Sequence, residues 1–277
     1  MFKSFLSMLT PEFISFILIP AIIGGIAVTL CSALLGVSLV LKKYSMIGDG
    51  LSHVGYGALS IAAVMNFAPL KFALPVVIVA AIILLRLSDN SKLRGDSAIA
   101  VFSTTALAIG ILVSSKAGMM NDVSHYLFGS ILGMDTNDVI LSVVLSALVI
   151  IVFVIFYHKI FAVTFDENFS KATGVKVGIY KMLIAVLTAI TIVLGMMMMG
   201  SLLISSLIIF PALTSMRVCK SFRSVVICSA VVSIICFLLG LFTSLVMDTS
   251  PGATIVVMNV IVYIIFTIFS KIRIKAA

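Results

Sequence analysis

Asp49 and His53 stand four residues apart in the stretch MIGDGLSHVGYGALS, residues 46–60, inside a run that is otherwise apolar or small. On a helix, positions i and i+4 share a face, so a carboxylate and an imidazole would project together. The pair offers one oxygen and one nitrogen ligand, a set that suits Zn²⁺, Mn²⁺ or Fe²⁺. It is also isolated. Glu12, Asp89, Asp96, Asp122, Asp135, Asp138, Asp166, Glu167 and Asp248 all fall in loops or at the ends of apolar runs, as do His125 and His158. Counted from Lys43 at about 1.5 Å per residue, His53 lies roughly 15 Å into an apolar layer about 30 Å thick. An uncompensated charge there costs at least about 2.5 kcal/mol, and ionisable residues so placed face a cavity or a partner and mark a path for ions. The competing reading is structural, with Asp49 and His53 satisfying each other or a neighbouring helix. Gly48, Gly50, Ser52, Gly55 and Gly57 keep the surrounding surface small, which permits close helix approach or a water path.

Two ligands make half of a four-ligand site. A second copy of the chain across a twofold axis would complete a His₂Asp₂ set, since twofold homodimers are the commonest symmetric assembly. Other residues with metal chemistry carry less. Met196 to Met199 are consecutive, so on a helix they point in different directions and are expected to pack rather than ligate. Cys31, Cys219, Cys228 and Cys236 lack CxxC spacing and are expected to be small packing residues. No GxxxxGK[ST] phosphate loop occurs, so any ATP that drives this chain is hydrolysed by another polypeptide.

The elements that must hold the pair are membrane spans. The chain has 277 residues, 62% of them hydrophobic and 10% charged, with a mean hydropathy of +1.33. Runs such as VVICSAVVSIICFLLGLF are apolar on every face, which suits helices and not the alternating strands of a barrel. The N-terminal MFKSFLSMLTPEF precedes no small-residue cleavage site and is expected to be retained. Spans are expected at about 13–41, 46–67, 69–87, 98–115, 139–157, 182–199, 201–216, 224–246 and 253–270. With these, every Lys and Arg except Lys3, Lys71 and Lys116 falls on one side, which the positive-inside rule makes cytoplasmic. The expected fold is therefore all-α, a polytopic membrane protein of eight or nine transmembrane helices forming one domain over residues 1–277. Its N-terminus lies outside and its C-terminus in the cytoplasm. The ambiguity sits in 182–216, where only GMMMMGS is available to turn the chain, as a tight hairpin or a re-entrant pair. The outer segment 118–134 is amphipathic and is expected to lie along the interface or dip back into the protein. The inner loop 164–181 is expected to hold a short helix capped by Asp166 and closed by Gly174, a docking element or an ordered connector.

Five stretches in this order, SMIGDGLSHVGYGALSIA, NDVSHYLFGSIL, FDENFSKATGV, GSLLISSLIIFPALTSMRV and MDTSPGATIVV, resemble the permease subunits of bacterial ABC importers for zinc, manganese and iron. The resemblance spans approximately residues 36–270. It implies that Asp49 and His53 lie in the translocation path, and that ENFSKATG corresponds to the cytoplasmic coupling helix, with Glu167, Phe169, Ala172 and Gly174 at the contact with an ATP-binding cassette ATPase. It further implies an extracytoplasmic metal-binding protein as donor, a second copy of the chain as partner, and residence in the bacterial cytoplasmic membrane. Nucleic acid is not among the expected partners. A divalent ion would be carried, with no cofactor held permanently and no enzyme activity in this subunit. LLISSLIIFPALT and MDTSPGATIVV tilt the resemblance toward zinc. The VGYGAL that follows His53 departs from members with a Pro or bulkier residues there. A secondary carrier or channel, and an intramembrane metal-dependent hydrolase, are the alternatives, although the hydrolase would need a third ligand and a base that the acid and histidine positions do not supply.

Overall fold

A computed structural model describes residues 10–90, 95–129, 131 and 136–276. Lys92 and Arg94, counted above with the cytoplasmic charge, lie outside them, as do Lys3, Asp135 and parts of the outer segment, Ser130 and 132–134. Every described element is a helix, as expected where no water is present to satisfy open backbone groups. In chain order they are α1 (Pro11–Leu41), α2 (Ser45–Val64), α3 (Pro69–Asn90), α4 (Gly95–Lys116), α5 (Met120–Phe128), α6 (Thr136–Ile155), α7 (Tyr157–Phe165), α8 (Glu167–Ala172), α9 (Val177–Met199), α10 (Ser201–Val218), α11 (Phe222–Met247) and α12 (Pro251–Ala276). In α1 the turn Ile14–Leu18 is π-helical. It lies just before Pro20, whose ring leaves no N–H for the regular ladder.

Among the described residues seven helices are long and apolar enough to cross a membrane, and α6 with α7 makes an eighth although the pair bends by 69°. Helix α2 is of spanning length at 20 residues, but its glycines, serines, Asp49 and His53 replace the leucines and isoleucines of its neighbours. Counting α2 brings the number to nine, the odd number that an outside N-terminus and a cytoplasmic C-terminus require. Helix α9 forms the centre, with 72% of its apolar window buried, whereas α12 at 17% faces outward. Outward apolar side chains such as Val101, Leu112, Val154 and Ile155 suit contact with lipid rather than water.

The stretch 182–216 is a hairpin of two full-length helices. Gly200, at φ 86°, is the one residue between α9 and α10. The Ile204 side chain lies where a Cβ on Gly195 would stand; nine residues along a straight helix would be separated by about 13 Å. Of the two options for the outer segment, α5 takes the second and packs into the protein. Val123 is fully buried, Ser201 Oγ donates to the Leu127 carbonyl at 3.4 Å, and Gly129 lies directly on the Met199 carbonyl, leaving no space for a side chain. The methionines of α9 pack as expected, with Met196 against Gly55 and Met198 against Gly24. All four cysteines are free.

Candidate functional site

A tight turn sets the register of α2. Tyr44 N–H donates to the Leu39 carbonyl at 2.8 Å, and Lys43 takes the left-handed conformation at φ 61°. The helix then runs against α4 at very short range. A Cβ on Gly57 would stand 2.6 Å from the Ala106 carbonyl oxygen, and the Cα of Gly57 itself fills the Cβ position of Gly110 at 2.8 Å. The glycines therefore serve helix approach on this side. Ser52 and Ser60 turn their hydroxyls back to carbonyls four residues earlier, at 2.9 and 2.8 Å, so they need no outside partner.

On the remaining face Asp49 and His53 come together as their spacing predicts. His53 Nε2 lies 3.5 Å from Asp49 Oδ2, with the side chains 27% and 46% exposed respectively. That separation is the outer limit of a hydrogen bond, and the buried His53 Nδ1 has no hydrogen-bond partner. The pair thus leaves ligand capacity unused, which argues against a purely structural pairing. Ser205 of α10 lies beside the Asp49 carboxylate and 3.4 Å from Ser52 Oγ, while donating to the Ser201 carbonyl at 3.0 Å. Sequence reasoning missed Ser205; the signal was the i, i+4 spacing of Ser201 and Ser205, which places both hydroxyls on one face of the span. Among the described residues no three His, Cys, Asp or Glu side chains converge on one point, so one chain supplies two such ligands here.

On the cytoplasmic side α8 is held in place by its caps and by charge. Asp166 Oδ1 accepts from Phe169 N–H at 2.9 Å. At the other end Gly174, at φ 82°, donates to the Lys171 carbonyl at 3.0 Å, and Val175 donates to the Ser170 carbonyl at 2.9 Å. Lys42 at the end of α1 donates to Glu167 Oε1 at 2.6 Å, and Lys181 of α9 donates to Glu167 Oε2 at 3.1 Å. Burial pushes the Glu167 carboxyl upward, but the hydrogen bonds and charges of the two lysines outweigh it and hold the group below the usual carboxylate range. Glu167 thus turns toward its own chain, whereas Phe169, at 64% exposed, and Ala172 and Gly174 face outward. Asp248 takes the left-handed cap of α11 at φ 52°, in keeping with a turn-forming role.

The family model described as the ABC 3 transport family matches residues 15–270. The chain belongs to the ABC 3 transport family. Relatives of this permease include the manganese import system permease protein ScaB of Streptococcus gordonii, 27% identical over 88% of each chain. The high-affinity zinc uptake system membrane protein ZnuB of Haemophilus influenzae is 26% identical over 90% of this chain and 96% of its own. Among solved structures, a chain of PsaBC from Streptococcus pneumoniae in complex with Fab superposes with a TM-score of 0.84 at 28% identity, covering 96% of the permease and 95% of that chain. The permease is a multi-pass protein of the bacterial cytoplasmic membrane, as its apolar spans and the family agree.

Proposed function

We propose that this permease is the membrane subunit of an ATP-driven importer of divalent metal ions, and that Asp49 and His53 hold the ion part-way across. The observation that carries the reading is the incomplete pair itself. An imidazole and a carboxylate share one face of α2, meet only at the outer limit of a hydrogen bond, leave His53 Nδ1 without a partner, and have no third such ligand among the described residues. Two copies related by a twofold axis supply His₂Asp₂, four ligands of the kind and number that Zn²⁺ takes. Zn²⁺ is the ion we assign first, with Mn²⁺ and Fe²⁺ as competitors; the comparable similarity to the manganese and zinc relatives does not separate them.

Transport then needs no ionisable relay within the membrane, because the energy enters at the cytoplasmic face. An ATP-binding cassette ATPase docks on the outward side of α8, with Phe169 as the apolar anchor and Ala172 and Gly174 beside it. Glu167 fixes that helix to Lys42 at the end of α1, three residues before α2 begins, and to Lys181 in the first turns of α9. An extracytoplasmic binding protein delivers the ion on the opposite side. The ion is cargo, so no cofactor stays bound and this chain performs no chemistry of its own.

The test is uptake into vesicles holding the full complex, with Zn²⁺ and Mn²⁺ in competition at limiting concentration. Asp49→Ala and His53→Ala each abolish uptake while the complex assembles normally, because removing a ligand from a polar path relieves a burial cost. Wild-type uptake in both variants would remove the pair from the path. Uptake that persists without ATP would replace the importer by a carrier or channel.

A further inference from the structure

Beside the coupling loop, where α3 ends and α9 begins, lies a cavity of about 580 Å³ that the metal path does not use. Its wall has two characters. Arg86 of α3, Lys171 of α8, Lys176 in the loop and Lys181 of α9 bring four cations to it. Lys181 is shared with Glu167, but among the described residues no acidic side chain lines the cavity. Among the described residues, no ion pair involves Arg86, Lys171 or Lys176. The other part of the wall is apolar and opens outward at Ile179 and Met182, which are 54% and 43% exposed. These two lie in the first turns of a spanning helix on either side of Lys181, so apolar and cationic groups share the boundary level where headgroups of the cytoplasmic leaflet give way to acyl chains.

We propose that this cavity binds an anionic phospholipid of the cytoplasmic leaflet. The phosphate sits against Arg86 and Lys176, and one acyl chain runs along Ile179 and Met182. An anion held by cations alone, without the apolar wall, would not account for the opening toward lipid. An acyl chain alone would not account for four cations converging on one wall. Basic pockets between spanning helices on the cytoplasmic side bind anionic headgroups for this reason. The consequence reaches the transport cycle, because Lys181 touches both the cavity and Glu167. A lipid phosphate at this place adds negative charge beside the ion pair that fixes α8.

The test is native mass spectrometry of the full permease, alone and with its ATPase, offered phosphatidylglycerol or phosphatidylcholine at equal mole ratio. Wild type retains phosphatidylglycerol in preference to phosphatidylcholine, and 1 M salt reduces that preference. A cation near the surface contributes about fivefold to such binding, so Arg86→Gln with Lys176→Gln lowers phosphatidylglycerol occupancy by roughly 25-fold, while Arg86→Lys keeps most of it. Gel filtration of each variant checks that it is folded, and Lys171→Gln alone gives the smaller, single-charge loss if the double variant fails to assemble. Equal retention of the two lipids by wild type, or unchanged retention in the double variant, overturns the proposal. Displacement of the lipid by millimolar glycerol phosphate makes this a site for free anions and overturns it as well. So does a double variant that binds lipid normally and loses the ATPase, which would give the cations to protein docking.

Discussion

At the scale of single residues, the part of the proposed path that spacing did not disclose is Ser205. Its hydroxyl lies beside both Asp49 and Ser52 and gives its proton to the Ser201 carbonyl; with an ion bound it is expected to turn and donate to the carboxylate, as a positioning group and not a charged ligand. Groups that orient metal ligands commonly contribute tenfold or more to affinity. Ser205→Ala is therefore expected to lower uptake at limiting metal by about tenfold, with ATPase association unchanged and most of the loss recovered at saturating metal. Ser205→Thr, which keeps the hydroxyl, restores most of the wild-type rate. A Ser205→Ala complex with wild-type uptake at every metal concentration would show that Asp49 needs no such support.

At the scale of elements, α8 is local in its formation and non-local in its placement. Asp166 and Gly174 make the helix, but the lysines of α1 and α9 decide where it points. The Glu167 carboxyl is held below its ordinary value of 4.5, so the folded state binds its proton less readily than the unfolded chain. The ion pairs contribute stability that is fully present above that ordinary value and is lost as pH falls through the depressed one. The measurement is the thermal unfolding midpoint of the detergent-purified permease as a function of pH. Wild type is expected to hold a constant margin over Glu167→Gln from neutrality down to about the ordinary carboxylate value, and then to lose that margin on further acidification. A margin that stays constant at lower pH would show that the lysines do not act through the ionised carboxylate.

For the whole molecule, the decisive contact is the crossing of α2 and α4, since it orients the face that carries Asp49 and His53 away from its neighbour. At Gly57 a Cβ would stand 2.6 Å from a backbone oxygen of Ala106, which has nowhere to move without shifting α4. Gly57→Ala is expected to destabilise the fold by about 1–3 kcal/mol, the usual range for overpacking, and to impair uptake as α2 is pushed out of register. Gly48→Ala is the control, because its Cβ would meet only the Ile208 side chain at 3.4 Å, an ordinary contact. Unfolding in denaturant of both variants, side by side, distinguishes them; equal stability would show that the helices separate freely.

What the sequence determined by itself is what rests on short-range periodicity and local backbone chemistry. The apolar runs had to be helices, Lys and Arg sorted their ends, Asp49 and His53 had to share a face, and Asp166 and Gly174 had to bracket a short helix. Each follows from residues a few positions apart, where helical geometry leaves little choice. What only the tertiary structure decided joins residues far apart in the chain. Lys42 meets Glu167 across 125 positions, and Ser52 meets Ser205 across 153. No local pattern records such partners, because any polar side chain at a suitable depth satisfies the same spacing. The hairpin at Gly200 lies between the two cases. Its glycines permit a turn or a break equally, and the choice was made by Ile204 packing into the space that Gly195 leaves and by Gly129 closing on Met199. Close packing against neighbouring helices, and not the backbone freedom of the glycine, fixed the path of the chain there.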